Sequence, residues 1–514
     1  MRASRIAVPL LVLGLALTGC TGPDRGDVDR PQPSDLFPTG DPSDESKDVA
    51  FTACDDSGYP CEGFVDGTPY AIVLPETWNG TLLIYSHGLR PEIPLTADGP
   101  DFTAVAEPAP GVGSGVDAVA DELLSQGYAL AGAGSRTGGW DLQEAVEAIS
   151  TVRGIFVQNV GVPNRIYTWG QSLGGLAALQ AGQANDWVSG SASLCGLLGG
   201  LNPNMDLALD AAFGVKALLR PNLQLTDFDS AEQAQEEYAR AMGAVEKAAA
   251  DPTGAGLVDL RVIAAAAEVP TQTRTSAGST PGELGAALVE NFGRVLARSM
   301  VQRYSVEQQL GGNPSTNVGV NYGARVTADE AAAIDGSAGA LATLSRVREI
   351  AAQPAVEADP AARAAADAQF PQPGPLVKPT VTLHTEVDPE AILANETLYG
   401  TWAAQASGDD IRWLNINVST PPAPTAGVSP TASGVGHCAF TGQSIVGGVQ
   451  ILDDWARRGR FPTWAGNAIA FGPGSGFVGP TRLPAWPQSP TTLAMAAPDP
   501  AASGSADAAP SPTP

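Results

Sequence analysis

Lysine and histidine are nearly missing from this chain: only four lysines (Lys47, Lys216, Lys247, Lys378) and three histidines (His87, His384, His437) occur in 514 residues. With 28 basic against 55 acidic side chains the formal charge is −27, and the few basic residues form no cluster. Binding of nucleic acid by phosphate neutralisation is thereby excluded. The five cysteines show no CxxC or His-rich spacing, so no metal site is expected. A nucleotide fingerprint is missing too, because Gly132-Ala133-Gly134 lacks the third glycine at the required spacing. No cofactor is expected. Any chemistry that needs imidazole must choose among three residues.

What is present begins with an apolar stretch at Ile6–Leu17, preceded by Arg2 and Arg5 and ending Leu17-Thr18-Gly19-Cys20. It is too short to span a bilayer and has the layout of an export signal over 1–20. Small residues directly before a cysteine resemble the bacterial lipobox, which implies lipid on Cys20 and anchorage to the outer face of the membrane. Residues 21–50 and 476–514 are rich in Pro, Asp, Ser, Ala and Gly, and read as a disordered tether and a disordered tail. With 43 % hydrophobic residues in the chain as a whole, the remainder has ample material for a core. Without Cys20 four cysteines remain, an even number suited to an oxidising compartment. Cys54 and Cys61 flank turn residues and suit a local disulfide, which leaves Cys195 for Cys438.

Between 51 and 200, short apolar runs (Tyr70 to Leu74, Thr81 to Ser86, Tyr128 to Ala133, Arg165 to Trp169, Trp187 to Leu194) alternate with helical patterns. Leu142, Val146, Ile149 and Val152 recur at helical spacing. Such alternation predicts a mostly parallel sheet flanked by helices, an α/β fold. From 201 to 375 the strand signal fades. Capping patterns (Ser230 with Gln233, Thr280-Pro281-Gly282-Glu283, Thr327 with Glu330) introduce Ala-rich runs and predict a helical insertion. The sheet resumes at Thr380 to Leu383, and a last amphipathic helix carries Ile445, Val449, Leu452 and Trp455. One folded body is expected over 51–200 and 376–465.

Gly170-Gln171-Ser172-Leu173-Gly174 lies between a strand and a helix. A serine on so sharp a turn has a strained backbone, and Gly170 and Gly174 remove the collisions that side chains there would make. Ser172 is then a nucleophile at the carboxyl edge of the sheet. For its base, His437 in the loop Gly434-Val435-Gly436 is the choice. His87-Gly88 ends a strand beside the expected oxyanion hole, and His384 lies within a strand as a packed residue. The acid is Asp388, with Glu386 and Glu390 as rivals, because the strand ending at His384 delivers all three to one edge. Backbone N–H groups of Leu89 and Leu173 are the expected oxyanion donors.

The order Ser172, Asp388, His437, with His87-Gly88 and the elbow at 170–174, resembles the α/β-hydrolase superfamily, and more narrowly exported actinobacterial esterase-like hydrolases with a helical cap. The resemblance spans 51–200 and 376–460 and lacks an HGGG-type loop. It implies an α/β-hydrolase fold with a cap at 201–375, and cleavage of carboxylic esters through an acyl-enzyme on Ser172. Placed in that fold, Cys195 and Cys438 both lie at the carboxyl edge. A disulfide between them is similar to that of tannase and feruloyl-esterase-like hydrolases, except that no cysteine adjoins Ser172. Arg136, beyond the strand at Tyr128 to Ala133, is a candidate for a substrate carboxylate or a surface ion pair. Two alternatives stand beside the esterase. One is a serine peptidase, with Glu236 and Glu237 as candidate amine-holding acids; the other is a non-catalytic surface lipoprotein. The expected partner is a small ester or peptide substrate.

Overall fold

The computed structural model describes residues 61–65, 67–95, 106–110, 117–136, 138–251, 253–276, 278–335, 341–408, 411–418, 434–471, 477–478 and 483–487. Cys20, Cys54, the expected export signal, the tether and most of the expected tail lie outside the described residues.

Runs of consecutive apolar residues make strands that are buried on both faces. Among the described residues the strands are β1 (Cys61–Val65), β2 (Thr68–Val73), β3 (Thr81–Ser86), β4 (Ala129–Ala133), β5 (Arg165–Gln171), β6 (Gly190–Leu194), β7 (Thr380–Thr385), β8 (Trp413–Val418) and β9 (Phe477–Val478). They form one nine-stranded sheet in the order β1-β2-β4-β3-β5-β6-β7-β8-β9. From β4 to β8 neighbouring strands run parallel, while β1, β2 and β9 pair antiparallel at the edges. This order, with the sharp turn after β5, is that of the α/β-hydrolase fold. Every residue of β3, β4, β6 and β7 is buried.

Helices cover both faces. Before the insertion come α1 (Asp117–Ser125), α2 (Leu142–Asn159) and α3 (Leu173–Ala184). The Leu-Ala-Gly composition of α3 lets it press on the sheet: a Cβ at Gly182 would stand 1.9 Å from Ser191 Oγ. Apolar side chains then pack on each side of the sheet, around Phe156, Leu176 and Tyr399 on one face and Tyr167, Leu383 and Trp455 on the other.

The stretch expected to be helical contains α4 (Leu201–Leu218), α5 (Ala231–Ala249), α6 (Ala255–Ala266), α7 (Pro281–Ala297), α8 (Arg303–Leu310), α9 (Tyr322–Arg325), α10 (Ala328–Asp335), α11 (Leu341–Ala351) and α12 (Pro360–Gln369). A π-helical turn, Arg298–Gln302, joins α7 to α8. Thr280 and Glu283 form a reciprocal capping box, and Thr327 and Glu330 exchange the same pair of bonds. Ser230 accepts from the Gln233 N–H, but the Gln233 side chain accepts from Asp229, one residue earlier than a capping box requires. Each cap contributes about 1 kcal/mol. The insertion has its own core around Leu209, Phe213, Ile263, Leu288 and Phe292.

After β7 come α13 (Ala394–Ser407), α14 (Gly442–Arg458) and α15 (Trp464–Phe471). The sheet therefore continues past the expected limit of 465: α15 packs on α14, and β9 pairs with β8 within the stretch read as tail. Four elements left weak signals. In β1 and β9 the runs hold few apolar residues, β8 is interrupted by Asn415 and Asn417, and α13 begins without a capping side chain. No helix among the described residues is long and apolar enough to cross a membrane.

Candidate active site

At the carboxyl end of β5, Ser172 has φ 55° and ψ −122°, in the left-handed half of backbone space that a β-carbon makes costly. Close packing of the elbow enforces this. A Cβ at Gly170 would lie 2.3 Å from Gly174 O, and one at Gly174 would lie 2.1 Å from Ser86 O and 2.2 Å from His87 O. Both glycines are thus required by backbone against backbone. The turn is held further by Ser172 N donating to Leu194 O at 2.9 Å and Leu197 N donating to Ser172 O at 3.2 Å.

The same packing brings the segment after β3 against the serine, since a Cβ at Gly88 would stand 3.3 Å from Ser172 Cβ. The His87 ring orients that segment. Its Nδ1 lies 2.6 Å from Gly88 O and its Nε2 3.0 Å from Ser135 Oγ. A carbonyl can only accept, so the proton sits on Nδ1 and Ser135 donates to Nε2. Burial, with Arg90 nearby, holds the His87 pKa down to about 4, so the ring is neutral at pH 7. In a trans peptide the N–H points opposite to the C=O, so the bond to Gly88 O turns the Leu89 N–H away from His87. Leu89, Leu173, His87 and Ser135 line a cavity of about 30 Å³, room for one or two water molecules.

His437 and Asp388 come from two loops pinned together. Val387 N donates to Gly434 O at 3.0 Å, Gly436 N to Val387 O at 2.6 Å, and Thr385 Oγ1 to Gly436 O at 3.0 Å. His437 Nδ1 then lies 2.9 Å from Asp388 Oδ2 and 3.0 Å from Oδ1. Burial opposes charge on the ring, but Asp388 and Glu390 outweigh it and raise the His437 pKa above its ordinary value. For Asp388 burial works upward, and the neighbouring His437 and His384 override it to hold the carboxyl below the usual range. Asp388 Oδ1 also accepts from Glu390 N at 2.8 Å and Ala391 N at 2.9 Å.

Cys195 and Cys438 are joined by a disulfide across 243 residues of sequence. Cys195 follows Leu194, which accepts from Ser172 N, and Cys438 follows His437. An imidazole nitrogen of His437 and the two sulfurs lie within 4.8 Å of one another. The histidine loop is therefore stapled one residue from the peptide that holds the serine. With its sulfurs bonded to each other, this trio is not a metal site. Cys61 is also disulfide-bonded, while Cys54, its expected partner, lies outside the described residues.

The rivals occupy other places. Glu390 pairs with Arg294 at 2.7 Å, and Glu386 N continues the sheet by donating to Val418 O. Arg136 makes the surface ion pair rather than a pocket cation: its Nε lies 3.8 Å from Glu144 Oε1 and its side chain is half exposed. Glu236 and Glu237 are both paired with Arg240 on α5, and Glu237 also accepts from Gln224 N, so neither is free to hold an amine.

His384 is packed, as its place in a strand suggested, yet its role is electrostatic. Nδ1 lies 3.0 Å from Glu396 Oε1 and Nε2 2.6 Å from Ala391 O. Acceptors at both nitrogens require both to carry protons, so the ring is an imidazolium, and Glu396 and Asp388 raise its pKa against the cost of burial. Thr382 donates to Glu396 Oε2 at 2.6 Å, and Trp413 Nε1 donates to Thr382 at 3.0 Å. This chain holds the Asp388 loop from beneath. Glu396 carries no motif, and only its helical offset from the strand could have drawn attention to it.

No family model and no curated protein matches this chain. Solved structures do. An esterase from Aspergillus oryzae is 12 % identical with a TM-score of 0.38, covering 77 % of this chain and 78 % of that one. Candida antarctica lipase A is 12 % identical with a TM-score of 0.33, covering 78 % and 75 %. Esterase RhEst1 from a Rhodococcus species is 13 % identical with a TM-score of 0.28, covering 74 % and 92 %. Likeness at this level carries no argument about chemistry; the strand order and the elbow geometry define the fold.

Proposed function

We propose that this protein is a serine hydrolase of carboxylic esters. Ser172 Oγ attacks the ester carbonyl as His437 Nε2 takes its proton. The alkoxide leaves with that proton, and water then releases the acyl group from Ser172 by the reverse relay. Asp388 keeps the His437 proton on Nδ1 and stabilises the imidazolium that forms. The oxyanion is held by the N–H of Leu173, at the start of α3, and by that of Leu89, turned by His87. The observation that carries this reading is the bond of His437 Nδ1 to a fully buried Asp388 at the sheet edge where Ser172 has φ 55°.

Ser172 is 6 % exposed, and the insertion touches the loops around it, so it acts as a cap that must shift to admit substrate. On sequence alone we further propose that Cys20 carries lipid and tethers the enzyme outside the cell membrane; metabolic labelling with a fatty-acid analogue, lost in Cys20→Ala, tests this. For the hydrolase, a fluorophosphonate probe should label the wild type but not Ser172→Ala, and short acyl esters should be turned over by the wild type but not by His437→Ala. An unlabelled Ser172 defeats the reading. Turnover of aminoacyl amides without esters replaces it with a peptidase.

A further inference from the structure

The π-helical turn Arg298–Gln302 carries a buried cation that makes no ion pair within 4.0 Å among the described residues. Arg298 is 7 % exposed, and its guanidinium donates through Nη1 to the carbonyl oxygen of Glu390. Among the described residues its Nε is buried without any hydrogen-bond partner, and no carboxylate oxygen comes within 4.0 Å of the group. The nearby acids are engaged elsewhere: the Glu390 carboxylate by Arg294 at 2.7 Å, and Asp388 by His437 at 2.9 Å and two backbone N–H groups. A guanidinium buried in this state is costly, and an unsatisfied buried donor calls for a reason. Two facts argue that the reason is a ligand.

The first is position. The Arg298 guanidinium sits 5.5 Å from the centre of the Trp140 ring, which belongs to the loop after β4. The same group donates to Glu390 O, in the loop after β7. In the sheet β4 and β7 flank β3, β5 and β6, so the group bridges loops from both sides of the strand that ends in Ser172. The Trp140 indole N–H is itself turned to Gln302 Oε1 at 3.1 Å, in the same π turn. Wide turns of this kind are often found at functional sites.

The second is local charge. In a chain of net charge −27 the insertion brings Arg294 and Arg298 to the acid loop. Arg274 lies against the histidine loop, where a Cβ at Gly436 would meet its Cγ at 3.1 Å. Arg294 pairs with Glu390 and His384 with Glu396. Among the described residues Arg298 makes no ion pair within 4.0 Å.

We infer that Arg298 is a substrate-binding residue that takes a carboxylate, so that the ester cleaved is the half-ester of a short dicarboxylic acid or carries an equivalent anionic group. This deepens the hydrolase proposal and rests on it for the word substrate, though the anion site stands by itself. The bond from Arg298 to Glu390 O also offers a purely positioning role, and the test separates the two.

Hydrolysis of monoethyl succinate is compared with that of ethyl levulinate, its neutral isostere, in a pH-stat at pH 7, and the glutarate and 5-oxohexanoate pair is treated alike. The wild type should prefer the anionic ester by about 10- to 100-fold in kcat/KM, the range of a charged hydrogen bond. Arg298→Met should abolish that preference through KM while leaving ethyl levulinate within about threefold, and Arg298→Lys should keep part of it. Equal rates for the two esters in the wild type overturn the inference, as does an equal loss on both in Arg298→Met. Calorimetry of monoethyl succinate with Ser172→Ala, against Ser172→Ala with Arg298→Met, reads the site without turnover. Absence of binding to the single variant overturns the inference. Binding that depends on Arg298, in a protein that no fluorophosphonate labels, upholds the anion site and defeats the hydrolase.

Discussion

Replacing Asp388 by asparagine keeps volume and shape yet should disable the proposed base, and the structure says by which route. Oδ1 of Asp388 accepts from the N–H groups of Glu390 and Ala391 at 2.8 and 2.9 Å. In Asp388→Asn the amide oxygen must stay on those two donors, since an NH₂ group there would face two N–H groups. The amide nitrogen then takes the place of Oδ2, which lies 2.9 Å from His437 Nδ1, and donates to it. Nδ1 becomes an acceptor, the ring proton moves to Nε2, and Nε2 can no longer accept from Ser172. The wrong tautomer costs about 10⁴-fold in kcat in a triad of this type, about 5.5 kcal/mol in the barrier, with KM changed by less than about threefold. Steady-state kinetics on a short acyl ester measure it, with circular dichroism to show the fold retained and Glu390→Gln as the control expected to lose less than about tenfold. A loss below about tenfold in Asp388→Asn would refute the reasoning, and so would a Glu390→Gln variant equally impaired, which would hand the acid's role to Glu390.

The pH profile should follow the raised His437: activity needs the neutral ring, so kcat/KM falls as pH drops through a pKa above 6.5, and Glu390→Gln should move that limb toward lower pH; a limb that stays in place in the variant contradicts the assigned cause. The His384–Glu396 pair is fully buried, so Glu396→Gln leaves an uncompensated imidazolium and should cost roughly 3 to 5 kcal/mol in urea unfolding. Because the folded pKa of His384 is raised, its contribution is full below about 6.5 and is lost as pH rises through the folded value; the penalty should therefore be larger at pH 6 than at pH 9, and a pH-independent one would argue against an imidazolium. The Cys195–Cys438 bond closes 243 residues, so Cys195→Ala with Cys438→Ala should lose up to about 5 kcal/mol by chain entropy and lower kcat by loosening the histidine loop; unchanged melting and kcat together would rule out the staple. Gly174→Ala should abolish fluorophosphonate labelling or folding, because its Cβ would fall 2.1 Å from Ser86 O, and full activity in that variant would contradict the elbow geometry.

Features made by neighbours in the chain were legible before any coordinates. Strand and helix succeed one another from 81 to 194 largely as the apolar spacing implied, and the capping residues Thr280 and Thr327 start their helices. The elbow was readable because its cause is local, two glycines at fixed offsets from Ser172. Elements that relied on partners were not. The two-residue β9 exists only because β8 lies beside it, and β8 is interrupted by Asn415, whose side chain donates to Thr382 Oγ1 of the neighbouring strand.

The sequence by itself determined the class of fold, the sharp turn that carries Ser172, the three histidines available to any base, and a cysteine count that left Cys195 for Cys438. Each of these follows from composition or from spacing within a few residues. Only the tertiary structure showed which of Asp388, Glu386 and Glu390 meets His437, because that depends on how two loops nearly fifty residues apart pin together. It alone revealed that His384 carries a proton, since the two acceptors responsible come from a following loop and helix. It alone brought Arg298 beside Glu390, across about ninety residues of intervening chain. Charge, unlike helical periodicity, is settled by what stands opposite in space.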